Sequence, residues 1–340
     1  MSTTESKNSN LQRAKSARND EFYTRLEDIE KELRHYSHHF KDKTVFLNCD
    51  DPYESVFFKY FAMNFKHLGL KKLISVSYAS SPLSKEPYKV EITEVPDFNG
   101  DGVVNLSDVE ELLKMDDNTI ATLKGDGDFR SDESVELLKQ SDIIVTNPPF
   151  SLFREFISQL IEYDKKFVVL GNMNAITYKE VWPLIQGGQL WLGVTRVGVG
   201  QMYFKIQDYH PIATGQIVKD SVRLQTVGNT AWFTNLDHAR RNDKIALFRL
   251  YRDDPAKYPN YDNFMGIEVS KVADIPMDFY GPMGVPITFL GKYNPDQFEI
   301  LGYSRKPHIP EDMMLDVGLG HGTPYVGGKA KYDRIFIRRK

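Results

Sequence analysis

One cysteine, Cys49, among 340 residues leaves no partner for an intrachain disulfide and points to a reducing compartment. No apolar run approaches the ~18 residues from which a membrane-spanning helix could be made. The opening stretch MSTTESKNSNLQRAKSARND has no apolar segment, so it does not read as a secretory leader. A cytoplasmic protein with no membrane partner is expected. An overall excess of basic charge is missing as well, for the formal net charge is −4. Apolar residues are not scarce. At 41% hydrophobic and 12% aromatic, the chain has the means to bury a sizeable core, and bulk disorder is excluded. The length suits one large domain or two moderate ones.

The average charge hides a split. Residues 84–136 carry fifteen acidic and five basic side chains, a local net of −10 that leaves +6 for the remainder. The last twelve residues, KAKYDRIFIRRK, hold six basic groups against one acid. An acidic middle and a basic end make an uneven field.

Periodicity gives the organisation. Residues 1–18 read as a flexible leader. From Glu21 to Phe40 the spacing of Leu26, Ile29 and Leu33 predicts a helix. The run TVFL from Thr44 predicts a strand, which turns at Asn48-Cys49-Asp50-Asp51-Pro52. Ser55 to Leu68, dense in Phe, predicts a buried helix ending at Gly69. LISVSY from Leu73 predicts a second strand. SDIIVT (141–146), a helix over 152–163 and FVVL from Phe167 continue the alternation. Strands alternating with helices imply an α/β fold on a parallel sheet. After Gly187 short alternating runs with glycine imply antiparallel strands, and the last hundred residues read as a smaller, irregular β-rich region.

Asn147-Pro148-Pro149-Phe150 closes the apolar strand. In open α/β sheets ligands bind at the carboxyl ends of strands. Both prolines fix φ and lack an N–H, so the loop is stiff. The Asn147 side-chain carbonyl and the Pro148 backbone carbonyl can accept both hydrogens of a planar exocyclic amine. Phe150 offers a flat face for stacking. An amide cannot serve as a base here, so the loop works by positioning and by drawing the amine lone pair out of conjugation.

At this point the chain resembles the EcoRI-type adenine-specific DNA methyltransferase family. The resemblance rests on NDEFYTRLEDIEKEL (19–33), VFLNCDDPYESVFFKYFAMNF (45–65), LKGDGDFRSDESVELLKQSDIIVTNPPFSLFREF (123–156), TAWFTNLDH (230–238) and PITFLGKYNPDQFEILG (286–302). It implies a Rossmann-like methyltransferase sheet with helices on both faces, over 19–238, with an acidic insertion at about 84–122. It implies a C-terminal β-rich target-recognition region over 239–340. S-adenosylmethionine would be the cofactor and double-stranded DNA the substrate, with a cognate restriction endonuclease as a further partner. By the same resemblance Phe22, Tyr23 and Thr24 form the N-terminal cofactor motif, with Thr24 on the methionine carboxylate and Arg25 where many relatives carry Pro. Asn48, Asp50 and Asp51 lie where such enzymes bind cofactor, in place of the usual glycine-rich turn. Asp128 would take the cofactor's adenine amine and Phe129 its ring. Trp232 or Phe233 would be the second aromatic around a flipped adenine. Lys292, Tyr293, Arg305, Arg338 and Arg339 are the expected DNA contacts of the tail.

A separate motif lies in DFNGDGVVNLSD (97–108). Asp97, Asn99, Asp101, the Val103 carbonyl, Asn105 and Asp108 fall at the ligand spacing of a calcium loop, with Gly102 at the sharp turn. Two readings stand: a structural calcium site and an acidic surface turn. Cys49 reads as a small buried residue. The function expected is transfer of a methyl group to N6 of an adenine flipped out of duplex DNA. The rivals are an RNA adenine, a protein glutamine, and a calcium-dependent binding module without turnover.

Overall fold

The computed structural model describes residues 24–77, 86–114, 120–195, 203–205, 216–219, 222–226, 230–305, 307–315 and 322–340. The chain divides into two compact units. One is Met1–Ala175 with Thr195–Leu236; the other is Ile176–Val194 with Asp237–Lys340. No described helix is long and apolar enough to cross a membrane.

The first unit is an α/β sheet. Its strands are β1 (Thr44–Leu47), β2 (Lys72–Val76), β3 (Tyr88–Ile92), β4 (Ile120–Thr122), β5 (Ile143–Thr146) and β6 (Lys166–Asn172). β7 (Tyr203–Lys205), β8 (Gln216–Lys219) and β9 (Val222–Thr226) form a separate antiparallel sheet, and β10 (Thr230–Thr234) follows. Within the first unit the main sheet runs β4-β3-β2-β1-β5-β6-β10. β1 is parallel to both β2 and β5, and β5 is parallel to β6. All four residues of β1 and of β5 are buried, as strands covered on both faces must be. β3 alternates between buried and half-buried, pairs antiparallel with β2 and with the edge strand β4, and so brings part of the acidic segment to that end of the sheet. β10 lies antiparallel to β6, with Trp232 opposite Leu170.

Helices link and flank the strands. They are α1 (Leu26–Leu33), α2 (Val56–Met63), α3 (Phe65–Leu68), α4 (Leu106–Lys114), α5 (Asp132–Gln140) and α6 (Phe153–Glu162). The helix expected over Glu21–Phe40 is the shorter α1, followed by a 3-10 turn at Ser37–His39. The single helix expected from Ser55 to Leu68 breaks at Asn64. There the side-chain amide donates to the Tyr60 carbonyl at 2.8 Å, which competes with the helical ladder. Gly171 in β6 is required by close packing. A Cβ there would sit 2.4 Å from the Phe153 ring and 3.0 Å from Phe233.

The second unit contains α7 (Trp182–Gln186) and a small sheet. Its strands are β11 (Ile267–Glu268), β12 (Met283–Pro286) and β13 (Phe298–Tyr303). A two-stranded hairpin, β14 (Tyr325–Val326) with β15 (Lys329–Ala330), precedes the last strand, β16 (Arg334–Arg339). The sheet order is β11-β12-β16-β13, so the basic C-terminal segment is an inner strand. Tyr261, Phe264, Ile309, Met313 and Phe336 form its core. A buried ion pair lies beside them. Arg334 Nη2 and Nε donate to Glu268 at 2.6 and 3.0 Å, and the Tyr261 hydroxyl donates to the same carboxylate.

Candidate active site

The chain leaves β1 toward β2 on one side and β5 toward β6 on the other. The order therefore reverses between the carboxyl ends of β1 and β5, where an open sheet has its crevice. Asn48, Cys49 and Asp50 follow β1; Asn147, Pro148, Pro149 and Phe150 follow β5. Pro148 is buried, while Asn147 and Phe150 are half-buried. The loop passes into a 3-10 turn at Phe150–Leu152, with the Leu152 amide donating to the Pro149 carbonyl at 2.9 Å, and then into α6.

Asp50 ties the two strand ends together. Its carboxylate is buried and accepts from the Ser55 hydroxyl at 3.0 Å and from the Thr146 hydroxyl. The Asn147 backbone N–H donates to it as well. Its own carbonyl accepts from the Ser75 hydroxyl at 2.6 Å, which adds β2 to the cluster. Burial disfavours the charge and lifts the carboxyl to about 7, although the hydrogen bonds pull it back down. Ser55 also caps α2, accepting from the Phe57 and Phe58 amides at 3.1 and 3.2 Å. Neither Thr146 nor Ser55 was singled out from the sequence. The available signals were a hydroxyl ending an otherwise apolar strand and a serine opening a helix.

Asp51 closes the turn beyond. One oxygen accepts from the Tyr53 and Glu54 amides at 3.0 and 3.3 Å and from the Tyr88 hydroxyl at 3.0 Å. Burial and this carboxylate hold the Tyr88 phenol far above its usual range. Asn48 is buried at the end of β1. Burial, and then the Asp50 charge, push the Cys49 thiol well up, so it is not a ready nucleophile. The Gln159 side chain of α6 donates to the Phe129 carbonyl at 3.1 Å, which ties GDGDF to the helix that follows Asn-Pro-Pro-Phe. In this structure Arg130 holds Asp128 through two donors, at 2.8 and 2.7 Å. The buried Phe129 ring meets Phe156 edge-on at 5.2 Å.

Phe22 and Tyr23 lie outside the described residues. Thr24 is buried, and its hydroxyl has no hydrogen-bond partner among the described residues. A buried hydroxyl needs a partner, and an incoming carboxylate would supply one. This residue therefore fits the methionine end of S-adenosylmethionine. It directly precedes Arg25, which stands at the start of α1 and pairs with Asp28 at 3.1 Å.

One expectation needs correction, and one open reading is narrowed. Trp232 and Phe233 are both fully buried: Trp232 packs edge-on against Phe57 at 6.0 Å and Phe233 against Phe153 at 5.0 Å. Alternation in a strand leaves one residue outward only if one face is open, and both faces of β10 are covered. Neither ring presents a stacking face. In the loop over 97–108 the side-chain oxygens turn back onto the loop's own amides. Asp97 accepts from Gly100 and Gly102, Asn99 from Asp101, Asp101 from Val103, Asn105 from Ser107, and Asp108 from Phe98 and Asn105. Among the described residues no three His, Cys, Asp or Glu side chains gather into a metal site. These bonds favour the acidic-turn reading.

In the second unit the expected DNA contacts are placed as follows. Lys292 is exposed, and Tyr293 is half-buried beside Phe289 at 5.8 Å. Arg305 pairs with Asp333 at 2.9 Å and Arg338 with Glu299 at 2.8 Å. The Arg339 guanidinium lies 4.8 Å over the Tyr280 ring.

A doubly wound sheet with Asn-Pro-Pro-Phe at its switch point defines an α/β methyltransferase that acts on a planar amine. Comparison with known proteins fixes the family. The model for the adenine-specific methyltransferase EcoRI family matches residues 10–340, and the chain belongs to that family. It is 44% identical to the type II methyltransferase M.EcoRI of Escherichia coli, over 97% of this chain and 96% of that protein. It is 38% identical to M.MpnI of Mycoplasma pneumoniae, over 96% and 97%. M.MgeORF184P of Mycoplasma genitalium is also 38% identical, over 96% and 98%. No solved structure matches the chain.

Proposed function

We propose that the protein methylates N6 of adenine at a specific sequence in duplex DNA, using S-adenosylmethionine. The observation that carries this reading is Asn147-Pro148-Pro149-Phe150 at the switch point, anchored from below by Asp50. The adenine amine donates its hydrogens to the Asn147 side-chain carbonyl and the Pro148 backbone carbonyl. Held off the ring plane, the amine regains a localised lone pair and becomes nucleophilic. S-adenosylmethionine supplies an electrophilic methyl group on a sulfonium. Phe150 stacks on the flipped base. Extraction from the duplex costs a few kcal/mol, and stacking returns roughly 1–3 kcal/mol.

Thr24 is suited to the methionine carboxylate, with Phe22 and Tyr23 beside it in sequence. Asp128 and Phe129 belong to the adenine end of the cofactor, where Asp128 would exchange Arg130 for the exocyclic amine. The Asp50 carboxylate is committed to Ser55, Thr146 and Asn147, so its part is to position the loop rather than to touch cofactor. Asp51 is engaged in its own turn, and Asn48 lies beside them. The C-terminal unit carries sequence recognition. We infer a cytoplasmic setting and a cognate restriction endonuclease, in keeping with the type II names of the relatives.

The test is to incubate DNA and, separately, RNA with enzyme and S-adenosylmethionine, digest to nucleosides, and read N6-methyladenine by mass spectrometry. The signal is expected on DNA, with a loss of about 10²–10³-fold in Asn147→Ala if the carbonyl acts as a preorganised polar group of the usual strength. Methylation of RNA alone, or an active Asn147→Ala, would overturn the reading.

A further inference from the structure

The six basic residues of the C-terminal segment look from the sequence like one stripe for DNA phosphates. The structure divides them. Arg334 is buried against Glu268, Arg338 pairs with Glu299, Arg339 covers Tyr280, and Lys340 donates to the Pro295 carbonyl at 2.5 Å. Arg339 and Lys340 thus have no acidic partner, but each is held by a ring or a carbonyl. Lys329 and Lys331 have neither an ion-pair partner nor a side-chain hydrogen bond among the described residues. They sit on the β14–β15 hairpin, followed at once by Tyr332, which at 89% is the most exposed large hydrophobic side chain among the described residues.

The hairpin is braced. Gly327 and Gly328 turn the chain with φ of 54° and 72°, a pair that side-chain-bearing residues adopt poorly. Asp262 accepts both of their amides, at 3.1 and 2.7 Å. Asn263 accepts from the Tyr325 amide at 3.0 Å and donates to the Thr323 carbonyl at 2.8 Å. The Lys331 amide donates to the Pro324 carbonyl at 2.7 Å and extends the ladder one residue past β15. Lys329 and Lys331 therefore point to the same side of the ribbon. At the base, Arg334 Nη1 donates to the Tyr332 carbonyl at 3.1 Å. The acids nearest the hairpin are already engaged: Asp262 on the turn amides, and Asp333 on Arg305 and the Tyr303 hydroxyl. No heavy atom lies within 4 Å of where a Cβ would stand on Gly327 or Gly328, so the tip is open to a second molecule.

We infer that the 323–332 hairpin is a DNA-backbone contact of the C-terminal unit, with Lys329 and Lys331 on phosphates and Tyr332 on the adjoining sugar-phosphate edge. The inference rests on the DNA-methyltransferase reading and, within the basic C-terminal segment, assigns the phosphate contacts to its two lysines rather than to Arg338 and Arg339. A pre-ordered ribbon loses little entropy on binding, and phosphate contacts set register without reading bases.

The experiment measures affinity for two duplexes, one with a methylated site mapped by the nucleoside assay and one without, over a range of salt. In Lys329→Ala/Lys331→Ala the slope of log affinity against log salt is expected to fall by about 1.8, at ~0.9 for each phosphate no longer neutralised. Binding to both duplexes should weaken together, with S-adenosylmethionine affinity and melting temperature unchanged. Lys329→Glu should weaken both duplexes further, and Tyr332→Ala should weaken them without changing the slope. A wild-type enzyme that methylates DNA beside a double variant with unchanged slope and affinity would overturn the hairpin assignment alone. A wild-type enzyme that neither binds nor methylates any duplex would overturn the function, and the assignment with it.

Discussion

Asp50→Asn separates the charge of the clamp from its geometry. The Asp50 carboxyl titrates at about 7 in the folded protein. In the unfolded chain an aspartate titrates near 3.9. Between these values the folded state keeps a proton that the unfolded state has released. Stability is therefore fully present at pH below about 4 and is withdrawn as pH rises toward about 7, at ~1.4 kcal/mol per pH unit. The whole window amounts to roughly 4 kcal/mol. Asparagine has nearly the same shape and no proton to lose. Its Oδ1 can accept from the Ser55 hydroxyl, while its Nδ2 donates to Thr146 Oγ1, whose hydroxyl rotates to suit. Relative to wild type, the variant should gain stability steadily from pH 5 to 7 and then level off.

Hydrogen–deuterium exchange of peptides covering 44–50 and 143–150, at a series of pH values in both proteins, reads the effect where it arises. Parallel curves for the two proteins, after correction for intrinsic exchange, would refute the argument, since the carboxylate would then be charged throughout. The functional counterpart has the same sign. Above pH 7 the buried charge is only partly offset by the bonds from Thr146, Ser55 and Asn147, so the clamp on the loop loosens. Wild-type methyl transfer should fall through that pH range relative to the variant's.

Glu268→Gln leaves the Arg334 guanidinium buried without a counter-charge and should destabilise the second unit by about 3–5 kcal/mol, read by denaturant unfolding; a loss below ~1 kcal/mol would show the pair to be dispensable. Gly171→Ala drives a methyl into the Phe153 and Phe233 rings and should cost about 1–3 kcal/mol, so an unchanged melting temperature would contradict the close packing of β6 and β10. Cys49 is the sole cysteine, so alkylation reports on this site alone. Its reaction at pH 8 should be slow in wild type and faster in Asp50→Asn, where one cause of the raised thiol is gone; equal rates would mean that the Asp50 charge does not reach the sulfur.

What the sequence could show depended on whether a feature is local. The Asn-Pro-Pro-Phe loop was legible because its stiffness, its acceptors and its place after an apolar run lie within one short stretch. The strands on either side were legible for the same reason: a strand buried on both faces must be apolar throughout, and TVFL and IIVT are nearly so. The clamp was not legible. Asp50 and Thr146 are 96 residues apart in the chain, and only the pairing of β1 with β5 makes them neighbours. Read locally, Asp50 stood where a cofactor ligand belongs; in the fold its oxygens are taken. Trp232 and Phe233 failed in the same way, since alternation shows which way a side chain points but not what covers that side.

The tail shows why counting charge misplaces an interface. KAKYDRIFIRRK carries half of its basic residues in its last three positions, and as an isolated segment that end would be the phosphate contact. In the fold IFI lies in the inner strand β16, so the arginines around it must emerge beside the rest of the sheet. There the cost of leaving a charge unpaired draws them toward Glu268 and Glu299 or onto the Tyr280 ring. The lysines ahead of the strand face no such demand, because Gly327 and Gly328 turn the chain from Val326, which packs on the core, to the exposed strand Lys329–Ala330. Availability to a polyanion is thus decided by what each cation must neutralise at home. By that measure the short hairpin, rather than the longer basic run, is where duplex DNA meets uncommitted charge.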